Sequence, residues 1–499
     1  MNSCAACFTL LPFILDWINN LTGIWHWLLL GLTFAFALPA ASHAVIYKRD
    51  SRSALLWVSL IAMVPLIGAA LYGLLGVNRI TRRGVSLRRD QAKLAIGAAR
   101  PVAREELERE ILNDGTRHLA PLMQLVDSIT SQQLAAGNDI VPLPNGDAAY
   151  PEMLAAIDAA KVSVALTTYI FDDDPIGEKF LAALAAAMGR GVEVRVLVDD
   201  AGTRYYGKPI TRKLRKLGIR FERFLPTFSL RRLGVMNLRN HRKILVVDGE
   251  IGFTGGMNIR HGNLLDENPD HPIKDLHFKV RGPVVCDLQE TIAEDWEFCC
   301  GEKLRGERWF PRLEEVGDIV ARGILDGPDE DIDKLHLAIC GALSVACHRV
   351  CIATPYFLPN SAMISALTLA AMRGVEVDIL IPEKNNLAYV GWAMNAGLWQ
   401  VLHRGCRVWA APSPFDHTKL LIVDGAWSLI GSSNLDPRSL RLNFEFNIEC
   451  YSHEFASQLE EIFNEKKAFA REVTLESLDA RSLPVRLRDG LARLATPFL

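Results

Sequence analysis

HTKLLIVDGAWSLIGSSNLDPRS, His417 to Ser439, has an earlier counterpart in HRKILVVDGEIGFTGGMN, His241 to Asn258. Each copy reads His, one residue, Lys, four residues, Asp, six residues, then a Gly-Ser or Gly-Gly pair with an Asn two positions on. One His-x-Lys-x4-Asp match is an ordinary accident in a chain of 499 residues. Two matches that share their downstream Gly and Asn mark a duplication.

Inside an apolar strand alternate residues point the same way, so His241 and Lys243 are expected on one face, as are His417 and Lys419. The lysines carry positive charge and the Asn258 and Asn434 amides donate hydrogen bonds, a combination suited to the oxygens of a phosphodiester. The two histidines supply a nucleophile and an acid.

The repeat extends beyond the motifs. Lys161 to Phe171 reads as a strand, Gly177 to Met188 as a helix and Val192 to Asp199 as a second strand, the order of a parallel α/β unit. The order recurs at Arg349 to Leu358, Ser361 to Met372 and Val375 to Ile381, and Arg190-Gly191-Val192-Glu193-Val194 recurs from Arg373. The expected fold is α/β, with two homologous lobes facing each other across a pseudo-two-fold so that the half-motifs form one site. The expected limits are 141–325 for the first lobe and 326–499 for the second, preceded by a helical connector over 79–140.

In LRNHRKILVVDGEIGFTGGMNI, ATPYFLPN around Tyr356, AAMRGVEVDILIP around Arg373 and IGSSNLDPRSLRLNFE through Glu445, the chain resembles the phospholipase D superfamily, with its duplicated HKD motif. It is most similar to the bacterial cardiolipin synthase branch, over nearly its whole length. The resemblance implies that one histidine attacks phosphorus to form a phosphohistidine while the other protonates the leaving alcohol and then deprotonates the incoming one. Nucleophile is carried onto His241 and acid/base onto His417. Lys243, Lys419, Asn258, Ser432 and Asn434 are expected around the phosphoryl oxygens. Orienting carboxylates fall on Glu445 for His417 and on Asp275 for His241. Asp248 and Asp424 complete the catalytic motifs in a more structural role. The first motif has Gly256 where the second has Ser432, which removes one hydroxyl.

The implied reaction turns two phosphatidylglycerols into cardiolipin and glycerol. Exchange of one phosphodiester for another is nearly balanced and needs no nucleotide. Gly207-Lys208 is followed by Pro209, so it is not a P-loop, and neither HExxH nor a clustered His/Cys set is present. Neither cofactor nor metal is expected.

With 49% hydrophobic residues and a mean hydropathy of +0.13, the chain is apolar for a soluble enzyme. The excess lies at the front, where Leu21 to Tyr47 and Ala54 to Val77 contain no Asp, Glu, Lys or Arg. Each is long enough to cross a bilayer, so 1–78 is expected to form a transmembrane hairpin with spans at about 21–47 and 54–77. Arg79, Arg82, Arg83, Arg88 and Arg89 outnumber Lys48, Arg49 and Arg52 in the turn, which favours a cytoplasmic catalytic part on the inner membrane. Ten cysteines without a framework pattern agree with a reducing compartment; Cys4 and Cys7 form an isolated C-x-x-C.

Eleven Lys and Arg lie between Arg212 and Lys243 against one acid, Glu222, while the whole chain carries a net charge of only −3. This local patch is expected to attract anionic lipid head groups rather than nucleic acid. Asp172, Asp173 and Asp174 precede Pro175 and a helix, where acids cap rather than bind metal. Arg481 to Leu499 is basic and amphipathic; it either lies on the membrane or packs on the second lobe. A phospholipase D with water as acceptor, a membrane-anchored nuclease and a non-enzymatic scaffold remain the alternatives, and the residues leave the oligomeric state open.

Overall fold

The computed structural model describes residues 27–28, 30–48, 51–76, 115–204, 209–225, 238–328 and 331–496. The chain divides into two compact units, an N-terminal one whose described residues end at 76 and a second that holds every described residue from 115 on. Cys4, Cys7 and the arginines from 79 to 89 lie outside the described residues.

In the N-terminal unit one helix, Leu30–Tyr47, is long and apolar enough to cross a membrane, with a mean hydropathy of 1.5. Phe34, Phe36 and Leu38 point out of the unit with about 60% exposure, at 61%, 59% and 62%. The second expected span does not form one helix. It breaks into Ser51–Met63 and Pro65–Leu71, with Val64 between them at φ −136°, and ends in the wide turn Tyr72–Gly76. Pro65 is the physical cause, because its ring pushes the preceding residue out of the helical region. Ala44, Ile61 and Tyr72 form a small buried cluster, and the Tyr72 hydroxyl lies 2.8 Å from His43 Nδ1.

The second unit is built on one continuous sheet of two equivalent halves. From its outer edge the first half runs Phe221–Phe224, Glu193–Asp199 and Ser163–Thr168 in parallel, then Ile244–Val247, Ile251–Gly255, Leu276–Arg281 and Ala135–Pro144 antiparallel. The second half repeats the order with Arg407–Ala411, Glu376–Pro382, Arg349–Ala353, Leu420–Val423, Trp427–Gly431, Asn443–Tyr451 and Ile319–Asp326. Ala135–Pro144 and Ile319–Asp326 pair antiparallel at the seam, which relates the lobes by a pseudo-two-fold. Both seam strands start before the expected lobe limits of 141 and 326.

Local chemistry explains the repeated landmark. Gly191 (φ +89°) and Gly374 (φ +94°) take the left-handed conformation that ends the helices Pro175–Gly189 and Ser361–Met372. The arginine before each glycine donates to carbonyls ahead of the lobe's first parallel strand, Arg190 to Ile157 and Arg373 to Ala346, both at 2.8 Å. Asp174 caps its helix as expected, accepting from the Gly177 amide at 2.8 Å.

One part of the stretch read as a connector is core. Helix Ala120–Ile129 packs on Lys334–Val345, and Leu122, Met123 and Val126 join the hydrophobic cluster of the second lobe. Near the other end, Leu483–Leu494 lies along Ala388–Gly397.

Candidate active site

Both histidines sit where the chain passes from one lobe to the other. Arg239–Asn240 pairs with Asn443–Phe444 of the second lobe before the chain enters its own strand Ile244–Val247. Phe415–Asp416 likewise pairs with Ile273–Lys274 of the first lobe before Leu420–Val423. His-x-Lys is therefore the junction between two strands rather than the interior of one. The His241 amide donates to the Phe444 carbonyl at 2.9 Å, and the His417 amide to the Lys274 carbonyl at 2.8 Å.

Each of those carbonyls belongs to the residue just before a carboxylate, which fixes how the acids pair. His241 Nδ1 lies 2.9 Å from Glu445 Oε1, and His417 Nδ1 lies 2.8 Å from Asp275 Oδ2. The pairing expected from the resemblance is thus reversed: every histidine is oriented by the opposite lobe. The physical reason is the strand exchange, which carries each histidine out of its own sheet register and sets it against its partner's.

Ser432 also departs from expectation. It is fully buried, donates to Glu445 Oε2 at 2.5 Å and accepts from the Phe446 amide at 3.0 Å, so it holds the carboxylate instead of facing a phosphate. Asn443 adds a donor to Glu445 Oε1 at 3.1 Å. In the first lobe Gly256 fills the equivalent position, and a Cβ there would stand 2.2 Å from Asp275 Oδ1. The hydroxyl is missing because the acid occupies its space.

Asp248 and Asp424, expected as catalytic motif members, tie strands together. Asp248 accepts backbone amides of Lys161, Val162 and Ser163 at 2.7–3.2 Å. Asp424 accepts those of Cys347, His348 and Arg349 at 2.7–2.8 Å. Three amides for each carboxylate explain the residue type without chemistry on substrate.

His241, His417, Asn258 and Asn434 line one cavity of about 300 Å³ together with Asp275. Asn258 Oδ1 accepts from the Ile170 amide at 3.1 Å, which turns its NH2 group into the remaining donor. Asn434 is buried on the wall of the same cavity. Lys243 and Lys419 lie behind the histidines, each donating to the carbonyl of its own motif histidine. Leu358, Leu387, Val390 and Phe415 make the cavity partly apolar.

Electrostatics favour the neutral form of both imidazoles. Burial lowers His241 to about 4, with Glu445 opposing and Lys243 assisting. Burial, joined by Lys419 and opposed by Asp275, also brings His417 to about 4. Burial lowers Lys243 to about 7 against the pull of Glu445, and Lys419 to about 8 against that of Asp275. Burial works to raise Glu445, but His241, Lys243 and the Ser432 hydroxyl outweigh it and hold the acid below its usual range. At His241, Nδ1–H given to Glu445 leaves the lone pair of the neutral imidazole on Nε2, whereas His417 Nδ1 faces both Asp275 Oδ2 at 2.8 Å and Lys419 Nζ at 2.9 Å.

The cavity contains residues that the motif reading missed. Tyr169 stands edge-on to His241 with ring centres 5.1 Å apart, and Tyr356 edge-on to His417 at 6.2 Å. Both follow the first parallel strand of a lobe, so the repeat itself carried the signal. Arg239, Arg260 and Arg438 add positive charge to the wall. The basic stretch before the first motif is partly neutralised: Lys213 pairs with Asp173, Arg220 with Glu302, Arg223 with Asp200 and Arg242 with Asp295. Among the described residues, one group of metal-ligating side chains comes together, His118, Cys347 and Asp424, with ligand atoms within 4.8 Å of one another. None of the three lines the cavity.

A family model described as cardiolipin synthase, PLD-like domain, matches residues 153–276 and 339–467, one segment in each lobe. Cardiolipin synthase A of Pseudomonas putida strain GB-1 is 31% identical over 472 residues, covering 94% of this chain and 98% of its own. The major cardiolipin synthase ClsA of Bacillus subtilis strain 168 is 30% identical over 464 residues, covering 91% and 96%. Among solved structures, phosphatidylserine synthase of Haemophilus influenzae Rd KW20 superposes with a TM-score of 0.58 at 14% identity, over 76% of this chain and all of its own, a likeness of fold.

Proposed function

We propose that this chain, which belongs to the cardiolipin synthase family of phospholipase D-like proteins, transfers a phosphatidyl group from one phosphatidylglycerol to another, giving cardiolipin and glycerol. The observation that carries the reading is the pair of histidines on one cavity, each with Nδ1 held by a carboxylate. That arrangement leaves two Nε2 atoms for one phosphodiester.

In this reading His241 Nε2 attacks phosphorus and forms a P–N bond as the P–O bond to glycerol breaks. His417 delivers a proton from Nε2 to the departing glycerol oxygen. It then takes the proton of the second phosphatidylglycerol's hydroxyl, whose oxygen attacks phosphorus and breaks the P–N bond. An anionic phosphodiester entering beside His417 favours its protonated form, since a nearby opposite charge raises an imidazole's proton affinity. The buried charge of Lys243 and Lys419 and the amides of Asn258 and Asn434 stabilise the phosphoryl oxygens as charge develops.

The helix Leu30–Tyr47, long and apolar enough to cross a membrane, supports anchoring at the site of the substrate. The finer assignment is a two-span hairpin in a bacterial inner membrane, its second span kinked at Pro65, with the catalytic unit in the cytoplasm. Purified protein in mixed micelles with labelled phosphatidylglycerol tests the reaction, alongside His241→Ala and His417→Ala. Cardiolipin and glycerol in equal amounts, lost in both variants, is the expected result. Phosphatidic acid as main product would make water the acceptor and overturn it.

A further inference from the structure

Helix Leu483–Leu494 is docked through Val485, Asp489 and Ala492, with its leucines turned outward. Asp489 is 1% exposed and ties Arg481 (2.6 Å) and Arg488 (2.7 Å) beneath the helix. The Arg488 guanidinium lies over the Trp392 ring at 4.5 Å. The leucines face away: Leu483, Leu487, Leu491 and Leu494 are 68%, 59%, 67% and 77% exposed. They recur at spacings of four, four and three, one face of a helix. A helix held by the Arg488–Trp392 contact and by Ala492 against the core, with four leucines in the open, is the reverse of ordinary packing, in which the larger apolar face is buried.

We propose that this face is the surface by which the catalytic unit docks on an anionic lipid bilayer. Charge selects the occupant. The helix's sole acid is the buried Asp489, while Arg486 and Arg493 are exposed, so the exposed charge of the helix beside its leucines is positive. Phosphate head groups over acyl chains match that composition. A second copy of this chain would set the same arginines against one another. Position points the same way. The helix lies along Ala388–Gly397, and Tyr389 on that support is 46% exposed and lines the catalytic cavity. Docking therefore sets the cavity mouth at the head-group level, where a tyrosine is at home. The inference deepens the lipid-transferase reading and rests on it.

Two measurements on the full-length protein in phosphatidylglycerol nanodiscs separate the outcomes. A photoreactive benzoylphenylalanine placed at Leu487 is expected to cross-link to lipid. Adducts to a second copy, adducts within the chain, or no adduct overturn the proposal. This readout needs no turnover, so it stands even if the assigned reaction is wrong. Turnover by Leu487→Glu/Leu491→Glu is expected to fall at least about tenfold on bilayer phosphatidylglycerol, with little change on a short-chain monomeric form. Equal loss on both substrates, or no loss on the bilayer, contradicts it.

Discussion

His241 and Glu445 belong to different lobes, yet Nδ1 and Oε1 stand 2.9 Å apart, and the amide of the one donates to the carbonyl just before the other. The reciprocal pair, His417 with Asp275, closes at 2.8 Å. Neither lobe holds a complete half-site. The duplicated motif works only when both lobes fold against each other, because each contributes the base of one histidine and the acid of the other.

The crossed pairing makes Glu445 and Asp275 report on opposite histidines. Glu445→Gln is expected to lower turnover on the order of 10³-fold or more by losing the tautomer and charge support of His241. The imidazole resonances of His241 should move in this variant while those of His417 hold, with the reverse in Asp275→Asn. Histidine nitrogen NMR of the two variants checks the assignment. Movement of His417 in Glu445→Gln would restore the within-lobe pairing.

Gly256 and Ser432 occupy equivalent positions with opposite requirements. Ser432→Ala removes one hydrogen bond to Glu445 and should reduce turnover by about tenfold, the effect of about 1.4 kcal/mol on the barrier. Gly256→Ser should do more damage, since the added Cβ meets Asp275 at 2.2 Å and must displace it. Steady-state rates for both variants test the order.

Acid should destabilise the catalytic unit through its histidines. Both have folded values near 4, below the ordinary 6.5, so between those values the unfolded chain binds protons that the folded chain refuses. Stability attributable to them is full above about 6.5 and is lost as pH falls toward 4. That difference corresponds to up to roughly 3 kcal/mol for each histidine. The loss in unfolding midpoint from pH 7 to pH 5 should shrink in a His241→Gln/His417→Gln variant, followed by near-ultraviolet circular dichroism. An unchanged loss would place the acid sensitivity elsewhere.

Asp424 should matter for stability more than for chemistry. Asp424→Ala strands three strand-opening amides and is expected to lower stability by about 1–3 kcal/mol. At a temperature where the variant stays folded, turnover should remain within about tenfold of the wild type, unlike any histidine variant. Thermal midpoints and rates measured together separate the two effects.

Much of the site was legible in the chain because duplication repeats chemistry at constant spacing. His241 and His417, their lysines and both asparagines stand out without any knowledge of the fold. The pairing of the acids was not legible, since it depends on Arg239–Asn240 and Phe415–Asp416 crossing to the other lobe, short tertiary pairings without periodic pattern. Ser432 reads the same whether its hydroxyl meets a phosphate or a carboxylate; only the neighbouring strand decides. Hydropathy saw the apolar stretch from Ala54 to Val77 but not its interruption, although Pro65 carried that signal locally.

Trapping the covalent intermediate tests the shared site most directly. His417→Asn lacks the acid/base but retains His241 with Glu445, so brief exposure to a phosphatidyl donor with a good leaving group should leave phosphatidyl on His241. Peptide mass spectrometry reads the position. An adduct on His241, absent from His241→Asn, is the predicted result. No adduct on either histidine while the wild type still turns over would contradict a double-displacement path through His241.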